Sequence, residues 1–128
     1  MSSAAFYDNP LAGLPRHGVT ERPCAIDVLR HAAQAATLNF HHVVVEGKSE
    51  KLDDKHDILG QLAQTLGFPS SAGRNYDAFY DCLTDMPPGQ LIVLDGLPAS
   101  ETAAIILDIF RDAANYFAEK DTRFVVLF

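Results

Sequence analysis

Three short runs of β-branched and aliphatic residues punctuate this chain, from His41 to Gly47, from Gln90 to Leu94 and from Arg123 to Phe128, each set off by longer segments of helical periodicity. Near-continuous apolar runs of this length suit strands covered on both faces, and strands alternating with helices imply right-handed crossovers into a parallel sheet. The expected fold class is therefore α/β: a small three-stranded parallel sheet packed with helices, plus an extra N-terminal helix. Apolar positions Ile26, Leu29, Ala32, Ala33 and Ala36 predict that extra helix over about 25–36, with Arg30, His31 and Gln34 on its polar side. The set Ile58, Leu59, Leu62, Ala63 and Leu66 predicts a second helix from about Asp53, stopped by Gly67 and Pro69. Asn75 is placed to cap a third helix from Tyr76 to about Thr84, after a loop at 70–74. Ser100 caps a fourth, whose core stripe is read as Ala104, Ile105, Leu107, Ile109, Phe110, Ala113, Ala114 and Phe117. Residues 1–22, with Pro10 and Pro15, read as an irregular leader, so the chain divides into an N-terminal extension at 1–40 with one amphipathic helix and a domain at 41–128.

Seventeen acidic side chains against ten basic ones give a net charge of −7, which repels phosphate backbones and attracts basic partners. Direct nucleic-acid binding is disfavoured. No stretch approaches the ~20 apolar residues of a membrane span, and the first residues lack a basic start followed by an apolar run. A cytoplasmic location without membrane contact is the expectation. Cys24 and Cys82 are then expected to be free thiols.

Sites for chemistry are sparse. The five histidines, at 17, 31, 41, 42 and 56, show no metal-ligand spacing, and adjacent His41 and His42 on a strand point to opposite faces. No glycine-rich phosphate loop or nucleophile elbow is present, so no cofactor, metal or catalytic residue is assigned. Cys82 shares the apolar side of its helix with Phe79 and Leu83, which assigns it to packing. The opposite side carries Asp77, Asp81 and Asp85 at steps of four, a row of like charges that costs an isolated helix a few tenths of a kcal/mol per pair. A solvated acidic face accounts for the row in part, since Asp77 also lies where the helix dipole favours it. Tyr76 and Tyr80 flank the carboxylates, and an acidic helix edged by aromatics fits a basic protein pocket. An acid–base pair formed by Asp77 and Asp81 is the enzymatic alternative, but one exposed helix face lacks the enclosing cleft such a pair needs.

The segment Gly73-Arg74-Asn75-Tyr76-Asp77-Ala78-Phe79-Tyr80-Asp81-Cys82-Leu83-Thr84 resembles the signature helix of the barstar family of ribonuclease inhibitors. Leu66-Gly67-Phe68-Pro69 before it and the turn and apolar strand after it follow the same pattern, and Ile109 to Ala114 is similar to the family's long helix. The resemblance covers about residues 41–128. It implies a non-enzymatic inhibitor that blocks a basic, extracellular-type, barnase-like ribonuclease with an acidic helix and its preceding loop, as a monomer in a 1:1 complex. By the same resemblance Asp81 is the central anchor, Asp77 pairs with a cation at the rim, and Asp112 adds a second acidic contact. Tyr80, Asn75, Gly73, Ala78 and Thr84 complete the implied partner-binding set. The sequence departs from the pattern at Ser71, where a well-known member has a tyrosine, at Met86, near an expected tryptophan, and at Asp85, which replaces a glycine. Those departures keep open an alternative in which a barstar-like regulatory or interaction domain binds a different basic protein.

Overall fold

The computed structural model describes residues 14–45 and 55–128. In chain order they form β1 (His17–Thr20), α1 (Ile26–Ala35), β2 (Asn39–Val44), α2 (Lys55–Leu66), a 3-10 turn (Ser70–Gly73), α3 (Tyr76–Thr84), β3 (Gln90–Asp95), α4 (Glu101–Glu119) and β4 (Phe124–Leu127). Pro10, the expected strand end at Glu46 and Gly47, the charged turn from Lys48 and the expected helix start at Asp53 lie outside the described residues.

All strand pairs are parallel and the order is β1-β4-β3-β2. The path β2 to β3 to β4 steps one way across the sheet, so right-handed crossovers lay α2, α3 and α4 on one face. The β1 to β2 connection returns the other way and lays α1 on the opposite face. Two cores follow. Ile92, Leu94, Phe124 and Val126 point into the larger, among Leu59, Leu62, Phe79, Leu83, Ile106 and Phe110. Leu91, Val93, Val125 and Leu127 alternate with them and pack against Leu29 and Ala33 of α1.

The α/β class and parallel sheet agree with the sequence reading, but the sheet has four strands rather than three. The additional strand, β1, falls in the segment read as irregular. It holds four residues, only Val19 and Thr20 of them β-branched, too few for a period to emerge. Its strand geometry comes from β4, with His17 opposite Phe124 and Thr20 opposite Leu127. Flanking hydrogen bonds from Phe124 N to Arg16 O (3.1 Å) and from Arg22 N to Phe128 O (2.9 Å) fix the register at both ends. The stripe of α4 is also shifted at its start. Ala104 and Ile105 are exposed, whereas Thr102, Ala103 and Ile106 are buried with Phe110, Ala113, Ala114 and Phe117. The apolar run from Ala103 to Leu107 permits several phases, and the invariant 3.6-residue step back from Phe117 selects this one.

Gly96 ends β3 at φ +82°, and a Cβ there would lie 2.7 Å from the Val45 carbonyl oxygen. Both the left-handed conformation and the close backbone approach demand glycine. Gly96→Ala is expected to destabilise the fold by roughly 1–3 kcal/mol in urea unfolding, the usual range for a non-glycine residue forced into such a conformation. An unchanged midpoint would mean that the β2–β3 edge relaxes freely.

Candidate functional site

The site begins where α2 stops. Pro69 leads into the 3-10 turn, in place of the expected loop, and Ala72 and Gly73 of that turn are buried. A Cβ on Gly73 would stand 3.0 Å from Gly60 Cα, so the missing side chain at Gly73 lets the turn seat directly on the α2 backbone. Asn75 caps α3 as its position predicts, its Oδ1 accepting from Asp77 N (2.7 Å) and Ala78 N (3.3 Å). The cap satisfies two otherwise orphaned donors and sets the rotation of the helix that follows.

That rotation is read from α3 itself. Phe79 and Leu83 are fully buried, and at 100° per residue the opposite line runs through Asp81 with Asp77 and Asp85 beside it. All three aspartates are exposed. Thr84 folds its hydroxyl back to Tyr80 O (3.2 Å) and Asp81 O (3.1 Å), and Ala78 is half-buried on the ridge's flank. Among the described residues no cation pairs with the carboxylates of Asp77, Asp81 or Asp112; Arg111, next to Asp112, bonds Asp108 at 2.8 Å instead. Among the described residues, the carboxylates are therefore presented to solvent without a cation partner.

Packing of α3 against α4 opens a groove of about 490 Å³ along one flank of this ridge. Asp77 and Tyr80 line it from α3 and Asp112 from α4, so residues chosen from two distant segments meet in one place. Tyr116 and Glu119 also line it and were not anticipated. Their signal was available: they follow Asp112 at steps of four and seven, which keeps them on one side of α4. The Lys120 ammonium lies 4.9 Å from the Tyr116 ring centroid, a cation–π contact at the end of the helix. Asp81 stands outside the groove on the crest, Asn75 is exposed, and Gly73 is buried at the end of the 3-10 turn.

The adjacent histidines of β2 are occupied structurally. His41 Nε2 bonds Gln90 Oε1 at 2.9 Å and His42 Nε2 bonds Asp95 Oδ2 at 3.3 Å, on the two faces of β2. Among the described residues, no three side chains of metal-ligating type gather. Both cysteines are free thiols, half-buried in different cores with the sheet between them. Burial pushes the Cys82 thiol pKa up, and Asp85 and Asp81 push it further, the reverse of what a nucleophilic cysteine needs. Asp77 and Asp81 share one exposed ridge without the enclosure that acid–base catalysis by a carboxylate pair requires.

Fold and ridge together define a small parallel α/β protein that presents an acidic, aromatic-edged helix for contact. The family model described as Barstar (barnase inhibitor) matches residues 40–128, and the chain belongs to the barstar family. Neither curated proteins nor solved structures give a match. The matched span contains the whole ridge and groove, and it leaves β1 and α1 outside.

Proposed function

We propose that this protein inhibits a basic, barnase-like ribonuclease by placing α3 and the preceding turn in the enzyme's active site. The observation that carries the reading is the convergence of Asp77, Asp81 and Asp112 on one surface, with no cation pairing with them among the described residues. Carboxylates so placed occupy the positions that substrate phosphates would take, and charge-assisted hydrogen bonds to arginine, lysine or protonated histidine supply the affinity. The net charge of −7 steers a cationic nuclease toward the ridge. Steering of this kind is best documented for barnase and barstar themselves, so its strength is carried over from the family. Two free thiols suit a reducing compartment, which supports a cytoplasmic setting for the inhibitor.

Titration of a barnase-like ribonuclease with the purified protein, following RNA cleavage, tests the proposal. Inhibition is expected to be stoichiometric and to weaken as ionic strength rises, because the Debye length shrinks from about 10 Å at 0.1 M to about 3 Å at 1 M. No inhibition at micromolar protein would reject it. A different basic protein as the target is the second reading, favoured by the exposed Ser71 on the turn, where the family pattern has an aromatic contact. Under that reading the nuclease titration fails while a basic partner is retained in a salt-sensitive manner.

A further inference from the structure

The two edges of the sheet are finished differently. β1 is a poor template for a further strand: it has four residues, Gly18 within it sits at φ +134°, Pro15 lies just before it, and the flanking Arg16 carries its charge into solvent. Short length, glycine, proline and exposed charge are the means by which sheet edges are kept from pairing. β2 has none of them. Its six residues, Asn39-Phe40-His41-His42-Val43-Val44, include no proline, glycine, carboxylate, lysine or arginine, and Val44 is 50% exposed. Among the described residues no strand pairs with its outer side.

The bonds that β2 makes inward fix what it offers outward. Asn39 N donates to Gly89 O (2.9 Å) at one end and Val45 N to Asp95 O (2.7 Å) at the other, so the odd-numbered residues turn their backbone groups to β3. The N–H and C=O of Phe40, His42 and Val44 therefore point to the open edge. Side chains of the same three residues share the face of the sheet on which α1 lies. α1 covers them incompletely: Leu29 and Ala33 reach the central strands, the Arg30 guanidinium lies 5.4 Å from the Phe40 ring centroid, and Val44 stays half exposed.

We infer that two copies of this chain pair antiparallel along β2, about a two-fold axis at His42, joining their sheets into one. Self-complementarity selects the register. With His42 on the axis, it exchanges both backbone bonds with its own copy, and Phe40 does so with Val44 in each direction, so every outward N–H and C=O of the strand is partnered. Moving the axis to His41 or Val43 would carry Val44 or Phe40 past the end of the opposite strand. In the chosen register the half-exposed Val44 lies beside Phe40, an aromatic and β-branched cross-strand pair of the kind that stabilises sheets. Charge argues for a second copy over a basic partner, because the net charge of −7 is carried elsewhere and β2 holds no carboxylate for a cation to meet. His42 Nε2 bonds Asp95 Oδ2 of its own chain at 3.3 Å, which turns the imidazole toward β3. The inference concerns the free chain and does not rest on the inhibitor reading.

Sedimentation velocity of the full chain, from about 1 to 500 µM, is expected to show the mass rising from 14.0 kDa toward twice that value by mass action. Val44→Lys is expected to raise the dimer Kd by at least about tenfold with an unchanged circular dichroism spectrum, since it sets a charge on the edge beside Arg30 of the other copy. Ile105→Lys makes the same change of charge at a 37% exposed position on α4 and should leave Kd within about twofold. In the wild type, amide hydrogen exchange at Phe40, His42 and Val44 should slow by at least about tenfold from the dilute to the concentrated end, with less change at His41 and Val43, which are bonded to β3 in both states. A monomer throughout the range would overturn the inference and leave the edge to an extended segment of another protein. A dimer that survives Val44→Lys, or whose Phe40, His42 and Val44 amides exchange at one rate throughout, would overturn it by placing the contact elsewhere.

Discussion

Phe79→Ala is expected to destabilise the protein by about 3–5 kcal/mol, the range for removing a buried phenylalanine and leaving a cavity. Phe79 is fully buried at the centre of an aromatic chain, edge-on to Phe68 at 5.7 Å and to Phe110 at 5.6 Å. It thereby ties α3 both to the segment that ends α2 and to the middle of α4. Alanine forfeits the transfer free energy of the ring and both edge-to-face contacts, and three separate elements must move together to refill the space. A domain of this size is stable by only roughly 5–15 kcal/mol, so the loss is a large share of the total. Urea unfolding should show a lower midpoint with little change in slope, and Tm should fall by more than about 10 °C. Ile105→Ala, at a position 37% exposed, is the control and should stay within about 0.5 kcal/mol of wild type. A Phe79→Ala loss near that of the control would mean that α3 is not seated on a packed core.

The parts of the fold that were legible are those whose burial leaves a local mark. Strands β3 and β4 are covered on both faces, so every side chain from Leu91 to Leu94 and from Phe124 to Leu127 is apolar. Asn75 and Ser100 announced helix starts because a capping side chain must stand immediately before the first turn, and both accept backbone hydrogen bonds there. β1 left no such mark, because its strand conformation is imposed by β4 across the sheet rather than by its own four residues. The turn at 70–73 was hidden for a related reason: its helical geometry depends on the close seat of Gly73 on Gly60, which are thirteen positions apart in sequence. Within α4, apolar abundance in the first two turns concealed the phase, and only contact with the sheet resolves it.

The candidate site divides in the same way. Asp77, Asp81 and Asp85 could be read as a ridge from spacing alone, because one helix contains all three and the buried Phe79 and Leu83 fix its opposite side. Asp112 entered through resemblance to the family's long helix, and no periodicity connects it to α3. Its place beside Asp77 and Tyr80 follows from the packing of two helices, which also draws in Tyr116 and Glu119.

Asp81→Ala is expected to cost about 2–5 kcal/mol of binding to the ribonuclease, roughly 30- to 5,000-fold in Kd, while leaving the fold at least as stable as before. The two halves of that expectation have different physical origins. In the free protein Asp81 is exposed, pairs with no cation among the described residues, and sits four residues from both Asp77 and Asp85. Removing it relieves like-charge repulsion worth a few tenths of a kcal/mol per pair and exchanges a poor helix former for the best one. On the inhibitor reading proposed above, the crest of the ridge enters the cationic cleft of the enzyme, so truncation would leave the enzyme's own charges desolvated and unpaired. Inhibition constants for wild type, Asp81→Ala and Asp81→Asn, set beside their urea midpoints, separate the effects. The asparagine variant retains shape and loses charge, so it should bind nearly as poorly as alanine if charge is what matters. Asp108→Ala removes one charge from α4 where Arg111 already neutralises it, and should change Kd by less than about threefold, a few tenths of a kcal/mol. Equal losses for Asp81→Ala and Asp108→Ala would reduce the ridge to a contribution to net charge. A large loss confined to Asp81 would locate the anchor at the crest of α3, because no change in stability could account for it.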